Sequence, residues 1–312
     1  MSIEERHLIE IAKDVLKSYS LSVKEVTLIN NEYNATFKVV SIDNDLFALR
    51  VNINSPRTKE NLKAEVSWVN HLYEDGRVKV AKPIKTTRGD FFVSIHHEHA
   101  VRELHCVLYS WLPGSELDDE PELVQLKALG EAMARMHIVA RDFQLPSYSK
   151  LPVFDDVLWW TEDHLLSDKS VLDQGSKELI SRALQLIDSH IKSLYIGAIP
   201  IVIHADLHGG NVLWSQDSLS VLDFDDSGIG LPVQDLATAI YYLDTPEEDA
   251  ALREGYSSVA PLPEMSERDL KVFLMQRRII LLNYLYETSN EVHRAMIPDY
   301  LAETLRRIES FL

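Results

Sequence analysis

Apolar positions follow two rhythms along this chain, and the change between them divides it. Leu8, Ile11, Ala12 and Val15 recur at helical spacing behind Ser2 and Glu5, whose S-x-x-E pattern is a capping box, so the chain is predicted to open on an amphipathic helix ending near Tyr19. Three β-rich runs follow, at 26–29, 35–40 and 46–53, with polar turns at 30–34 and 43–45. Ser55-Pro56 reads as the start of a second helix, with Leu62, Val66, Val69 and Leu72 as its apolar face and Gly76 past its end. Stretches 80–84, 91–95 and 101–108 read as further strands. Residues 1–110 are thus expected to be a β-rich lobe crossed by one helix. Residues 111–120 (WLPGSELDDE) are the expected connector, and the rhythm then becomes helical. Leu126, Leu129, Met133 and Met136 make one stripe, and Leu179, Ala183, Leu186 and Ile187 another. Helices are also expected at 232–244, 246–256, from Ser266 to about 287, and at 297–311. The fold class is α+β, with a largely helical second lobe over 121–312.

One polar stretch interrupts those helices. VIHADLHGGNVLWSQDSLSVLDFDD (202–226) reads as short strands whose ends carry His204, Asp206, His208, Asn211, Asp223, Asp225 and Asp226. Gly209 and Gly210 let the backbone bend between Asp206 and Asn211. The spacing H-x-D-x-x-x-x-N, followed across a hairpin by D-F-D, matches what phosphoryl transfer asks of a protein. That reaction needs a carboxylate to orient the attacking hydroxyl and take its proton, a role that fits Asp206. It also needs oxygen ligands for Mg²⁺ beside the nucleotide phosphates, which Asn211 and Asp223 could supply.

Composition narrows the setting. The 312 residues are 46% hydrophobic and 26% charged, a globular balance of one large or two medium domains. A formal net charge of −18 argues against nucleic acid as a partner and is compatible with a cationic small molecule. The single cysteine, Cys106, sits in an apolar run and reads as a structural thiol; no disulfide can form within the chain and a Cys-rich zinc site is excluded. No signal peptide and no membrane-length apolar run are evident, so a cytoplasmic protein is expected.

HADLHGGNVLW and VLDFDDSGIGLPVQDLA resemble the two signature loops of the aminoglycoside phosphotransferase/choline kinase family. VLYSWLPGSEL resembles that family's hinge strand and linker, and LGEAMARMH the helix after it. The resemblance implies a protein-kinase-like, two-lobed fold using ATP and Mg²⁺. By it, Asp206 is the catalytic base, Asn211 and Asp223 are metal ligands, His204 holds the catalytic loop and Asp235 braces it. Asp225 either reaches metal through water or caps a turn. A His at position 208, a DFD metal loop and the absence of an A-P-E signature separate the chain from conventional protein kinases. On the third strand Arg50 stands where a Lys is usual, with Glu65 on the next helix as its expected partner. The phosphate-covering loop NNEYNAT has no glycine, which leaves Asn31 and Asn34 to carry any positive-φ turn. Tyr109, Trp111 and Leu112 occupy the strand where adenine would meet backbone groups.

Other candidates carry plainer readings. His96, His97 and His99 could bind metal, but a polar turn is favoured because no further ligand is evident. Trp159 and Trp160 could line a cation pocket or pack on a helix. Tyr241, Tyr242 and Asp244 follow the motif helix. Arg277 and Arg278 could be an anion handle or a solvated pair. The expected function is transfer of the γ-phosphoryl of ATP to a small-molecule hydroxyl, on an amino alcohol, hydroxy amino acid, sugar or aminoglycoside. The homoserine-kinase/stress-response-kinase branch is the nearest in character. The alternatives are a bacterial stress-response protein Ser/Thr kinase, a hydrolase with metal on His204, Asp206 and His208, and a nucleotide-binding pseudokinase.

Overall fold

The computed structural model describes every residue except 1–4, 32, 101, 118–120 and 160. Ser2 of the expected capping box, Val101, the acidic end of the connector and Trp160 lie outside the described residues. The chain divides into two compact units. One comprises 1–117, 143–151 and 212–225; the other comprises 118–142, 152–211 and 226–312.

The first unit is built on helix α1 (Glu5–Leu16) and a five-stranded antiparallel sheet of order β1-β2-β3-β5-β4. Its strands are β1 (Val23–Asn31), β2 (Asn34–Ser41), β3 (Leu46–Asn52), β4 (Val93–Ile95) and β5 (Leu104–Ser110). Leu8, Ile11, Ala12 and Val15 of α1 share one core with Phe37 and Val39 of β2, Leu49 and Val51 of β3, and Cys106. Strand alternation buries Leu49 and Val51 there and turns Arg50, between them, to the opposite face. That single register decides which side the cation serves.

Helix α2 (Lys59–Asp75) starts later than expected. Thr58 and Asn61 form a reciprocal capping box, and the Thr hydroxyl captures the helix start that Pro56 does not. Gly76 closes it in the left-handed conformation, as expected. Residues 80–84 form no strand. Val80 and Pro83 make only isolated bridges, to Val221 and Tyr109, and Pro83 has no N–H to continue a ladder. Nor do Asn31 and Asn34 carry a positive-φ turn: both are strand residues. The unit also holds the hairpin β7 (Val212–Ser215) and β8 (Ser218–Val221). Its two-residue turn, Gln216-Asp217, has both φ angles positive (49° and 58°), the geometry whose twist suits a hairpin. The histidine turn does have partners, supplied by α1. His7 stacks on His99 at 3.6 Å, Glu10 lies 3.5 Å from His99 Nε2, and Asp14 lies 3.7 Å from His97 Nε2. These contacts join positions about ninety residues apart, so local reading could not supply them.

The second unit contains α3 (Leu123–Ala140), α4 (Gln174–Tyr195), β6 (Ile201–Ile203), β9 (Gly228–Gly230), α5 (Pro232–Tyr241), α6 (Pro246–Ser257), α7 (Glu267–Glu287), α8 (Glu291–Ala295) and α9 (Ile297–Phe311). The five-residue α8 is too short to show a periodicity and was not expected. Ile180, Ile187, Ile279, Leu282 and Ile308 form the core of α4, α7 and α9. Helices α3 and α6 cross at two glycines. A Cβ on Gly130 would stand 2.0 Å from the Leu252 carbonyl oxygen, and one on Gly255 2.0 Å from that of Lys127. The backbones can approach this closely only without side chains there. No helix among the described residues is long and apolar enough to cross a membrane.

Candidate active site

In the second unit, β6 pairs antiparallel with β9 and delivers His204 at its end. The glycines of β9 let neighbours approach closely: a Cβ on Gly230 would lie 2.5 Å from Ile203 Cδ1 of β6, and one on Gly228 2.4 Å from the Phe154 ring. Asp235 enters from the first turn of α5, behind Pro232, where a carboxylate suits the helix dipole. It is fully buried. Its oxygens accept from the His204 N–H at 3.0 Å and the Ala205 N–H at 2.6 Å, and His137 Nε2 lies 3.0 Å away. Burial works to raise its pKa, but His137 and His204 outweigh that and hold the carboxyl below its usual range. Ala205 has φ 68°, costly for a residue with a Cβ, and the bond to Asp235 is what holds it. Thus a side chain thirty positions downstream fixes the backbone immediately before Asp206.

His137 is a brace that sequence reading missed. Its Nδ1 faces the Tyr256 hydroxyl at 2.9 Å, so both ring nitrogens are engaged within α3, α5 and α6. The available signal was a polar residue four positions after Met133, on the apolar stripe of α3. Gln234 was missed as well. It caps the start of α5 by accepting the Leu231 N–H at 2.8 Å, and donates to the Phe154 carbonyl at 3.0 Å.

Asp206 gathers the other motif residues of this unit. Asn211 Nδ2 donates to its backbone carbonyl at 2.7 Å and to Oδ2 at 3.1 Å. His208 Nε2 lies 3.6 Å from Oδ2, while its ring packs on Tyr242 at 4.4 Å between centroids. The Asp206 N–H reaches His204 Nδ1 at 3.3 Å. The other oxygen, Oδ1, accepts from Arg277 of α7. Burial pushes the Asp206 pKa up, but Arg277, then His208 and His204, overcome it and hold the carboxyl at about 2. Arg277 and Arg278 are buried, so the reading as a solvated pair is corrected. Arg278 sits over the Tyr300 ring at 4.3 Å. Trp159 lies in a turn with φ 54°, not on a helix, and packs on Phe154.

In the first unit, Arg50 meets both oxygens of Glu65 at 2.6 and 2.7 Å, and the Tyr109 hydroxyl reaches Glu65 at 3.4 Å. Burial pushes the Glu65 pKa up to about 7 against the pull of Arg50, while the charges of Asp225 and Asp223 add to the rise. Asp225 accepts from Asn34 at 3.0 Å and lies 4.0 Å from Arg50 Nη1 and 3.5 Å from Ser55 Oγ. Asn34 and Asp225 are therefore joined to the Arg50–Glu65 pair in one polar network. Asp223 has φ 52°, an unfavourable conformation for a residue with a Cβ, just before the 3-10 turn Phe224–Asp226. Trp111 donates its N–H to Leu46 at the edge of β3, and Lys38 lies over its ring at 5.1 Å; Leu112 follows outside any strand.

These arrangements coincide with a family identity. The model of the APH phosphotransferase enzyme family matches residues 25–268. The chain belongs to that family. The amicoumacin kinase of Bacillus subtilis (strain 168) is 25% identical over 256 residues, 78% of this chain and 72% of that protein. A homoserine kinase of Rhodopseudomonas palustris (strain BisA53) is 31% identical over 168 residues, 53% of this chain and 47% of that protein, so the match spans about half its length. Among solved structures, a microcompartment-associated aminopropanol kinase superposes with a TM-score of 0.79 at 24% identity, covering 97% of each chain. That last likeness is one of fold, and it makes the architecture α+β and kinase-like. Family and relatives together make the chain a phosphotransferase of the small-molecule kinase type.

Proposed function

We propose that the chain transfers the γ-phosphoryl of ATP to the hydroxyl of a small molecule, with Asp206 as the base. The observation that carries this reading is the hold on Asp206. Asp235 fixes the backbone before it, and Asn211 fixes its Oδ2. A carboxylate kept in one orientation is what an in-line transfer needs, since positioning supplies most of the catalysis. The acceptor oxygen would form its bond to phosphorus as the β–γ bridge breaks, and its proton would pass to Asp206.

Asn211 and Asp223 are the assigned metal ligands, with Asp225 as an accessory acid, and Mg²⁺ is the assigned ion. The donor set suits a hard cation. Because the Asn211 amide nitrogen is spent on Asp206, its amide oxygen is the atom left to offer a cation. A bound divalent ion would neutralise charge developing on the phosphates. Arg50, ordered by Glu65, is assigned to the nucleotide phosphates, and Tyr109, Trp111 and Leu112 to the adenine edge. Asn34, bonded to Asp225, orders that acid. The acceptor assignment leaves protein Ser/Thr as an outcome to be tested. The deciding experiment is ADP release across hydroxyl compounds (homoserine, choline, hydroxylysine, aminoglycosides, a generic protein substrate) by wild type and Asp206→Asn. Turnover of a small molecule that disappears in the variant is expected. Turnover of protein alone, or turnover indifferent to Asp206→Asn, would overturn the reading.

A further inference from the structure

The Asp206 oxygen that an acceptor hydroxyl needs is already engaged. Arg277 Nη2 donates to Asp206 Oδ1 and also contacts the Tyr242 hydroxyl at 2.6 Å. The guanidinium lies 5.4 Å from the Tyr242 ring and 6.0 Å from the Trp159 ring, and the side chain is only 8% exposed. Nε is buried with no hydrogen-bond partner. Nε and Nη2 are the two donors on one edge of a guanidinium, and a carboxylate bridges such an edge through both its oxygens. Here that edge is half filled: Asp206 takes Nη2, and Nε takes nothing.

An entering alcohol alone cannot relieve Asp206. Moving the guanidinium off Asp206 gives up the carboxylate that acts on it most strongly and leaves a buried cation with only the weaker pull of Asp226, which is unfavourable. An anion on the acceptor removes that obstacle, because it satisfies Nε and Nη2 together as Asp206 is released.

We propose that Arg277 is the acceptor-binding residue of this enzyme and that it takes a carboxylate carried beside the reacting hydroxyl, so the acceptor class is small hydroxy acids, hydroxy amino acids included. The inference rests on the kinase reading above and adds a coupling to it. Until the carboxylate arrives, Arg277 keeps Asp206 occupied, and ATP is protected from reaction with water.

The test compares acceptors that differ only by the carboxylate, such as homoserine with 3-amino-1-propanol and threonine with 1-amino-2-propanol, by phosphorylated product formed. Two charge-assisted hydrogen bonds predict a kcat/KM advantage of about 100-fold for the acid of a productive pair. In Arg277→Met that advantage should shrink to a few-fold while ATP hydrolysis without acceptor rises. Arg277→Lys should recover only part of the preference, since lysine keeps the charge and loses the fork. L-2-aminobutyrate, which is homoserine without its hydroxyl, should compete with homoserine for the wild-type enzyme, a measurement that needs no folded variant. Wild type that uses the amino alcohols as well as the acids, or an Arg277→Met that slows both classes by one factor, would overturn the proposal and leave the kinase reading standing. No phosphorylated product from any acceptor would overturn the kinase reading, and the proposal with it.

Discussion

Replacing Asp235 by alanine should damage stability and catalysis together, and the size of the first effect follows from its partners. The carboxylate is fully buried and satisfies two backbone N–H groups, of His204 and Ala205, besides meeting the ring of His137. Alanine strands all three. A buried donor left unsatisfied costs about 1–3 kcal/mol, so a loss of roughly 3–9 kcal/mol is expected for the three. That is a large share of the ~5–15 kcal/mol that holds a folded protein together. Asp235→Asn keeps one acceptor oxygen but turns an N–H₂ toward a donor, so an intermediate loss is expected. Ala205 at φ 68° would also relax once its hydrogen bond is gone, which moves Asp206 and should lower kcat more than KM. Urea unfolding followed by fluorescence and circular dichroism gives the stability change, and steady-state rates on still-folded protein give the other. The sign of the pH dependence is fixed as well. The folded-state pKa lies below the ordinary 3.8, so the stabilisation is fully present above that value and disappears as pH falls through the folded one. Wild type should therefore lose stability more steeply than Asp235→Asn as pH drops below about 4. An Asp235→Ala protein that unfolds at the wild-type urea concentration with unchanged kcat would refute the brace.

Three further outcomes test other parts of the structure. Asp206→Asn should retain nucleotide affinity in a binding titration while turnover falls by about 10³-fold or more, and a near-wild-type rate would sink the assigned base. Arg50→Ala should strip Glu65 and Asp225 of their shared cation and raise the KM for ATP, with the acceptor KM little changed; an ATP KM equal to wild type would show that the ion pair is only structural. Gly130→Val should cost at least ~1–3 kcal/mol in thermal or urea unfolding, because its Cβ meets the Leu252 carbonyl, a backbone atom that cannot rotate away.

What could be read from the chain and what could not divide along a physical line. Alternation and the 3.6-residue period are local, and they place β1–β3, α3, α4, α6, α7 and α9 close to where they stand. The H-x-D-x-x-x-x-N and D-F-D spacing is also local, because the loops it describes are short. Starts set by competition between caps were less legible, as at α2, where Thr58 with Asn61 wins over Ser55-Pro56. Least legible were polar residues whose meaning depends on a distant partner. His137 reads as a helix residue until Asp235 and Tyr256 stand beside it. Arg277 reads as either an anion handle or a solvated charge until Asp206 and Tyr242 meet it in the interior. The signal that could have been used is compositional: Gln276, Arg277, Arg278 and Asn283 give α7 polar residues on faces that a helix of its length must bury. A central helix that buries charge has a reason outside its own sequence.

Each unit sets an arginine, partly buried at Arg50 and buried at Arg277, against carboxylates that the proposed chemistry would use. Arg50 lies against Glu65 and 4.0 Å from Asp225; Arg277 lies against Asp206. At 4 Å and an effective dielectric near 20, one such pairing is worth about 4 kcal/mol of direct attraction. Desolvating the two ions consumes much of that, so neither pair is an economical way to stabilise a fold. Their value lies in the protonation state they enforce. In a chain of net charge −18, acids brought together in a dry site would tend to take up protons and lose their use as ligands and bases. A buried guanidinium prevents this without itself titrating. Arg50 opposes the rise that burial imposes on Glu65 only in part, whereas Arg277 overrides burial and keeps Asp206 ionised. Glu65 is assigned to ordering a cation, and burial raises its carboxyl against the pull of Arg50. Asp206, as the proposed base, would have to be ionised to accept the hydroxyl proton. On the proposed reading, the stronger hold on Asp206 is the one that would have to be lifted during the reaction, and a group on the substrate is what would lift it.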